Sequence, residues 1–233
     1  NSYFINAHGG LTSSTWIESY NIGLAKIRLD AFTNYLKEQN LGLSSVLEVG
    51  PGQGYLMRQI KNRFPKLNYY VVESDASVHD ILAKHGATIV DSADVENINN
   101  LDAVIATHVL EHTLDPINFL TYYTGALRAG GIVFIETPCL DHAYKDVHEP
   151  HVLFFEKSTL GRVFRDCNLN NIRLTYNGDL IPSLRRNGFL RKCLVKLELK
   201  TGFPFHYFFG KFWAAKVSSA LSYQESLAIA ETS

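Results

Sequence analysis

Apolar and polar positions change their period along this chain, and the changes divide it. Within 16–36, Ile17, Ile22, Leu24, Ile27, Leu29, Phe32 and Leu36 recur at roughly helical spacing with polar residues between them. That pattern predicts one or two helices ahead of the core. From Ser45 onward, short runs rich in β-branched residues at 46–49, 69–72, 88–90, 103–106 and 132–135 predict strands. Helical stretches at 55–64, 78–85 and 117–127 lie between them. The last is announced by Asp115 as N-cap and Pro116 at the first helical position, and Gly130-Gly131 closes it. A helix at 158–167 and a strand at 171–176 follow, and after Gly178 the periodicity fades. The alternation predicts a Rossmann-like, doubly wound α/β fold: a mostly parallel seven-stranded sheet with helices on both faces, plus N-terminal helices and a C-terminal extension. The expected organisation is a helical segment at 1–44, a core at 45–178, and an extension at 179–233 that belongs to the same domain.

Composition narrows the class. A chain of 233 residues with 46% hydrophobic and 19% charged residues can bury a full core, which excludes disordered and collagen-like classes. Cys139, Cys167 and Cys193 are odd in number and form no Cys-x-x-Cys pair, so neither a disulfide framework nor a zinc knuckle is expected. A reducing, cytoplasmic setting fits them. No apolar run approaches the roughly 18 residues of a membrane span, and no signal-peptide pattern opens the chain, so a soluble protein is expected. The start at Asn1 keeps open a module cut from a longer protein.

The candidate chemistry begins where the first strand run, Val46-Leu47-Glu48-Val49, enters Gly50-Pro51-Gly52-Gln53-Gly54 and then a helix. Glycine lets such a turn adopt positive φ and approach a ligand closely, while the helix start offers unpaired N–H donors. Glu48 can face the positively charged amino end of a bound ligand. Nineteen residues after Gly54, Glu73 ends the second strand run, where a carboxylate can accept hydrogen bonds from both ribose hydroxyls. The turn is Gly-x-Gly-x-Gly, and Tyr55 follows it; a bulky residue there disfavours the close pyrophosphate packing of a dinucleotide site. That tilts the ligand toward S-adenosylmethionine.

On these residues the chain resembles the class I S-adenosylmethionine-dependent methyltransferases over roughly 45–167. The glycine turn at 48–54 looks like the family's first motif, and Glu73 like its acid at the end of the second strand. Thr107-His108-Val109-Leu110-Glu111-His112 with Asp115-Pro116 looks like its Leu-Glu-His and Asp-Pro segment. Leu127-Arg128-Ala129-Gly130-Gly131 resembles its Leu-x-Pro-Gly-Gly turn, with Ala129 in place of proline. The resemblance implies a cofactor site of Glu48, Gly50, Gly52, Gly54, Glu73, Ser74, Ser92, Ala93, Thr107 and His108, taking S-adenosylmethionine and leaving S-adenosylhomocysteine.

Histidines supply the remaining candidates. His108 through His112 spells the His-x-x-Glu-His string of inverted zinc proteases, but it directly follows a strand and leaves no room for the two helical turns that string needs. It also resembles the magnesium-associated Glu-x-x-Glu-His stretch of ubiquinone-type O-methyltransferases, with His108 at the first glutamate. Magnesium prefers oxygen ligands, so no metal is expected. Beyond the fifth strand, Asp141-His142 and His148-Glu149-Pro150-His151 should border the acceptor pocket, because ligands of open α/β sheets sit past the carboxyl ends of the strands. That segment resembles the Pro-x-His-x-x-x-Phe stretch of small-molecule and sugar methyltransferases. His148 and His151 are the candidate catalytic bases, since imidazole titrates near neutrality.

Charge adds one feature. Eight Lys or Arg residues against Glu198 alone lie within 185–216, interleaved with Phe189, Phe203, Phe205, Tyr207, Phe208, Phe209, Phe212 and Trp213. Such a segment suits a lid or homo-oligomer interface, a phosphate-bearing acceptor, or peripheral membrane contact. No RNA-binding motif accompanies it, which counts against nucleic acid. The expected function is methyl transfer to a hydroxyl of a sugar or glycan-related small molecule. N- or C-methylation, a quinone or polyketide phenol as acceptor, and a non-catalytic cofactor-binding module of a larger assembly enzyme stand as alternatives.

Overall fold

Strand β4 (Leu101–Thr107) is buried at six of its seven positions, and a strand so uniformly enclosed needs cover on both faces. It receives that cover in the computed structural model, which describes residues 15–139, 151–177 and 224–232. The elements run α1 (Thr15–Glu38), β1 (Ser45–Val49), α2 (Tyr55–Arg63), β2 (Asn68–Val72), α3 (His79–Lys84), β3 (Thr88–Ile89), β4, α4 (Pro116–Thr124), β5 (Leu127–Cys139), α5 (Lys157–Asp166), β6 (Leu169–Asn177) and β7 (Gln224–Thr232). Alternate residues of the central strands serve two cores. Val46, Val71, Ala103, Ile105 and Phe134 meet α1, α2 and α3. Leu47, Val49, Val104, Ala106 and Val133 meet α4 and α5. No described helix is long and apolar enough to cross a membrane.

The sheet order is β3-β2-β1-β4-β5-β7-β6. The first five positions are joined by parallel pairing, and β7 runs antiparallel to both β5 and β6. The chain therefore winds outward from β1 in one direction and then restarts at β4 in the other. The crevice between the carboxyl ends of β1 and β4 is the switch point where such folds hold ligands. The Rossmann-like α/β architecture expected from the alternation is present.

Several boundaries differ from those the sequence suggested. The N-terminal periodicity forms one helix, α1. Helix α4 stops at Thr124, and Leu127 already pairs with Leu101. Gly130-Gly131 therefore lies inside β5, at a register shift opposite Leu101 and Ala103, and does not end a helix. A Cβ on Gly131 would come within 2.9 Å of the Arg128 carbonyl oxygen and 3.1 Å of that of Leu101, so the bulge excludes a side chain there. The stretch at 78–85 splits into a 3₁₀ turn at Ala76–Val78, capped by Asp75, and the short α3. Strand β7 had no counterpart in the pattern: its alanines and glutamates are weak strand formers, and pairing with β5 and β6 outweighs that preference.

Opposite the crevice, Asp102 clips the strand starts together. It accepts hydrogen bonds from Ser44 N (2.7 Å), Ser44 Oγ (2.7 Å), Ser45 N (3.0 Å) and Arg128 Nε (2.7 Å). Burial opposes its charge, but these donors hold its carboxyl below the usual aspartate range.

Phe32 anchors α1 to the sheet. It is fully buried, and its ring meets Phe134 edge-on with centroids 5.4 Å apart. Phe32→Ala is expected to lower unfolding stability by about 3 to 5 kcal/mol in urea titrations. Leu114→Ser, at a side chain 90% exposed, should change it by less than about 0.5 kcal/mol.

Candidate functional site

The glycine turn forms because β1 ends in a loop that must reverse into α2 while the loop after β4 presses on it. Gly50, at φ +67°, has no room for a side chain: a Cβ would stand 2.6 Å from Val109 Cγ2. At Gly52, also left-handed at φ +54°, a Cβ would meet nothing within 4 Å. Packing thus demands the first glycine, whereas the second fronts open space where a ligand can reach the backbone. Gly54, the N-cap of α2, packs against Leu82, whose Cδ2 lies 2.7 Å from where its Cβ would be.

Glu73 follows β2 and reaches across to this turn. Its Oε2 accepts from Gly52 N at 2.9 Å and its Oε1 from Asp75 N at 2.9 Å, and Ser74 lies in the bend between. At the end of β3, Ser92 and Ala93 open a 3₁₀ turn (Ser92–Asn97). The Asp91 side chain accepts from Ala93 N at 3.0 Å, and Tyr122 Oη donates to Ser92 O at 2.6 Å. Thr107 closes β4 and His108 follows it. Parallel pairing brings the carboxyl ends of β1 to β4 to one sheet edge, so the glycine turn, Glu73, Ser92 and Thr107 all follow strands ending there.

Buried acids crowd the same edge. Glu48, 1% exposed, accepts from Tyr69 Oη at 2.7 Å. Burial pushes its carboxyl up to about 7, only partly offset by Tyr69 and the nearby Arg28. Glu136, on β5, receives an ion pair from Arg28, whose Nε donates to Oε1 at 2.8 Å. Burial disfavours its charge too, yet Arg28 and His108 hold its carboxyl far below the ordinary range. The His108 ring stands between two acids, with Nε2 3.3 Å from Glu136 Oε1 and Nδ1 3.2 Å from Glu111 Oε1. Its backbone is left-handed at φ +56° and its N–H donates to Glu136 O at 2.8 Å. A non-glycine residue in that region is held against its preference by its surroundings.

Glu111 lies in a 3₁₀ turn (Leu110–His112), so the His-x-x-Glu-His string is not on an α-helix. Its carboxylate is 1% exposed, and Thr137 Oγ1 donates to Oε2 at 3.2 Å. Burial works against its charge, but His108 holds the carboxyl below the usual glutamate range. Val152 N and Leu153 N both donate to the Glu111 carbonyl, at 2.9 and 3.1 Å. This pins the neighbouring His151 beside His112, their rings 5.0 Å apart and edge-on. Among the candidate catalytic histidines, His151 thus joins the edge of β4 and β5. His148 lies outside the described residues, as do Asp141, His142 and the basic segment 185–216.

Arg28 and Glu136 were absent from the sequence-derived candidates, and Val109 and Glu111 entered only as members of the 107–112 segment. Glu136 carries the signal that found Glu73, an acid at the carboxyl end of an apolar strand run. Arg28 is a cation on a helix whose partner lies 108 positions away, and nothing local marks it.

Residues 24–174 match a family described as a methyltransferase domain. Among curated protein sequences none matches. The fold is similar to an S-adenosylmethionine-dependent methyltransferase from Archaeoglobus fulgidus, at 17% identity and a TM-score of 0.62 over 91% of this chain and 94% of that one. It is also similar to a Thermotoga maritima enzyme described as a possible histamine N-methyltransferase, at 15% identity and a TM-score of 0.59 over 99% and 97%. A Haemonchus contortus phosphoethanolamine N-methyltransferase bound to S-adenosylmethionine matches at 14% identity and a TM-score of 0.57, over 82% of this chain and 49% of its own.

Because Glu48 titrates near 7 when folded and near 4.5 when unfolded, the folded state binds its proton more tightly. Its contribution to stability is full below about 4.5 and is lost as pH rises through about 7, by at most about 3 kcal/mol. Thermal denaturation across this window should show native stability falling relative to Glu48→Gln, which removes the titration. Parallel pH curves for the two proteins would refute the assignment.

Proposed function

The chain belongs to the methyltransferase-domain family, and on that premise we propose that it methylates a hydroxyl of a sugar or glycan-related small molecule. It is a methyltransferase with S-adenosylmethionine as donor. The observation that supports a hydroxyl acceptor is the corner of Glu111, His112 and His151 past the ends of β4 and β5, where a proton can be received.

The residues present fit the donor. The open side of Gly52 leaves backbone accessible, and Glu73, already drawn onto that turn, would accept from the ribose hydroxyls. Ser74 would flank the ribose, and Ser92 and Ala93 the base. Gly50 and Gly54 fix the course of the turn, and Glu48, Thr107 and His108 would border the amino-acid end. Bound there, the donor supplies a sulfonium methyl. The protein's part is to hold the acceptor oxygen in line with it, an effect worth up to roughly 7 to 11 kcal/mol. His151 takes the hydroxyl proton, and the buried Glu111 carboxylate beside the two rings favours the imidazolium that results. His148 is the second candidate base. A cytoplasmic setting, argued from the cysteines, accompanies this reading.

Amine methylation is the second reading. Two of the similar folds carry N-methyltransferase descriptions, and the buried acids Glu111 and Glu136 at the crevice would suit a cationic acceptor. An acceptor panel of sugars and amines assayed with radiolabelled donor separates the two.

Glu73→Ala should weaken S-adenosylhomocysteine binding by roughly 10- to 100-fold, the loss expected for hydrogen bonds to a charged group. Unchanged affinity would remove Glu73 from the site. His151→Ala should lower kcat by about 10² to 10⁴ while leaving cofactor affinity intact; full activity in that variant would reject His151 as the base.

A further inference from the structure

Glu111, His112 and His151 offer one carboxylate oxygen and two imidazole nitrogens that all lie within 4.8 Å of one another. We propose that these three side chains form a binding site for a divalent transition metal ion of the zinc class. The sequence string pointed to His108 and His112 as a pair; the fold instead brings in His151, distant in sequence, through the two backbone hydrogen bonds that tie 152–153 to Glu111.

Three observations carry the site. Glu111 Oε1 is buried and has no hydrogen-bond partner among the described residues. His108 Nδ1, at 3.2 Å, and His112 Nε2, at 3.9 Å, stand near it and favour its charge, but neither meets it with hydrogen-bond geometry. A buried carboxylate oxygen left in this condition is costly, and a cation relieves it. The second observation is reach. Metal–ligand bonds near 2.0 to 2.2 Å place donor atoms roughly 3 to 3.5 Å apart, and the Glu111–His112 pair at 3.9 Å is within a small side-chain rotation of that. The third is anchoring from behind, since Thr137 Oγ1 holds the other oxygen of Glu111 at 3.2 Å, the outer contact that orients a ligating carboxylate.

Donor chemistry selects the ion. Two nitrogens and one oxygen suit zinc, cobalt, iron or manganese, whereas magnesium and calcium demand oxygen-rich sites. Three protein ligands leave at least one coordination position open, as catalytic metal sites do. Resting on the hydroxyl-acceptor reading, that position takes the acceptor oxygen. With an ion held there the bound hydroxyl would lose its proton more readily and His151 would serve as ligand, whereas in the metal-free protein His151 is the base described above.

The test uses the full chain, treated with chelator and titrated with cobalt(II) alone, following its visible absorption, with zinc(II) displacement as confirmation. About one cobalt per chain is expected, with a d–d band typical of four or five ligands. His151→Ala and Glu111→Gln should each weaken binding by about tenfold or more, while His85→Ala, at an exposed histidine elsewhere, should bind as the native chain does. S-adenosylhomocysteine binding in the same variants reports whether each still folds. No cobalt binding, or binding unchanged in His151→Ala with cofactor affinity retained, overturns the site. Cobalt binding lost in His151→Ala, in a chain that methylates only amines, would uphold the metal site and overturn the hydroxyl-acceptor reading.

Discussion

Glu136 is a fully enclosed carboxylate at the end of the central sheet, and the crevice is arranged around the need to compensate it. A charge so placed is tolerable only with a partner and hydrogen bonds. Arg28 provides the partner from α1, locking that helix over the sheet edge, and the His108 ring, in the loop after β4, stands beside the same carboxylate oxygen. Held by Glu136 through both its ring and its N–H, His108 adopts a left-handed backbone. That conformation turns the chain so that Val109 packs on Gly50 and Glu111 points inward. One ion pair thereby sets α1, the loop after β4 and the glycine turn relative to one another.

The electrostatics follow from the topology. Parallel strands carry their functional side chains at their carboxyl ends, and β1, β4 and β5 each place an acid there or in the loop that follows: Glu48, Glu111 and Glu136. Each is managed differently. Burial raises the proton affinity of Glu48 against the hydrogen bond from Tyr69; Arg28 keeps Glu136 ionised; Glu111 is ionised with one oxygen unsatisfied among the described residues. Affinities separated in this way at one sheet edge are the arrangement by which sites handle charge and protons. They lie beside the backbone open at Gly52 and the Glu73 carboxylate that reaches it, the cradle proposed for the cofactor.

Much of this was legible in the residues. The β-branched runs located the parallel strands, because strands buried on both faces read as continuous apolar stretches. The glycine spacing and Glu73 pointed to a turn and an acid that the fold brings together, because both signals are local. Long-range pairing escaped. Gly130-Gly131 reads as a helix stop and is a bulge, closed in by the Arg128 carbonyl of its own strand and by Leu101 of the adjacent one, and the latter pairing is not local. Strand β7 is written in residues that favour helices and becomes a strand only between β5 and β6. Arg28 and Glu136 find each other across 108 positions, a relation no window of sequence contains. His151 was selected as a base from its place beyond the fifth strand; its company with Glu111 and His112 depends on backbone hydrogen bonds invisible to pattern.

Calorimetric titration of the purified chain with S-adenosylhomocysteine, with NAD as control, probes the proposed S-adenosylmethionine site in the crevice between β1 and β4. Micromolar binding of S-adenosylhomocysteine at one site per chain and no heat from NAD are expected. Tight binding of NAD, or no binding of S-adenosylhomocysteine, would contradict that assignment.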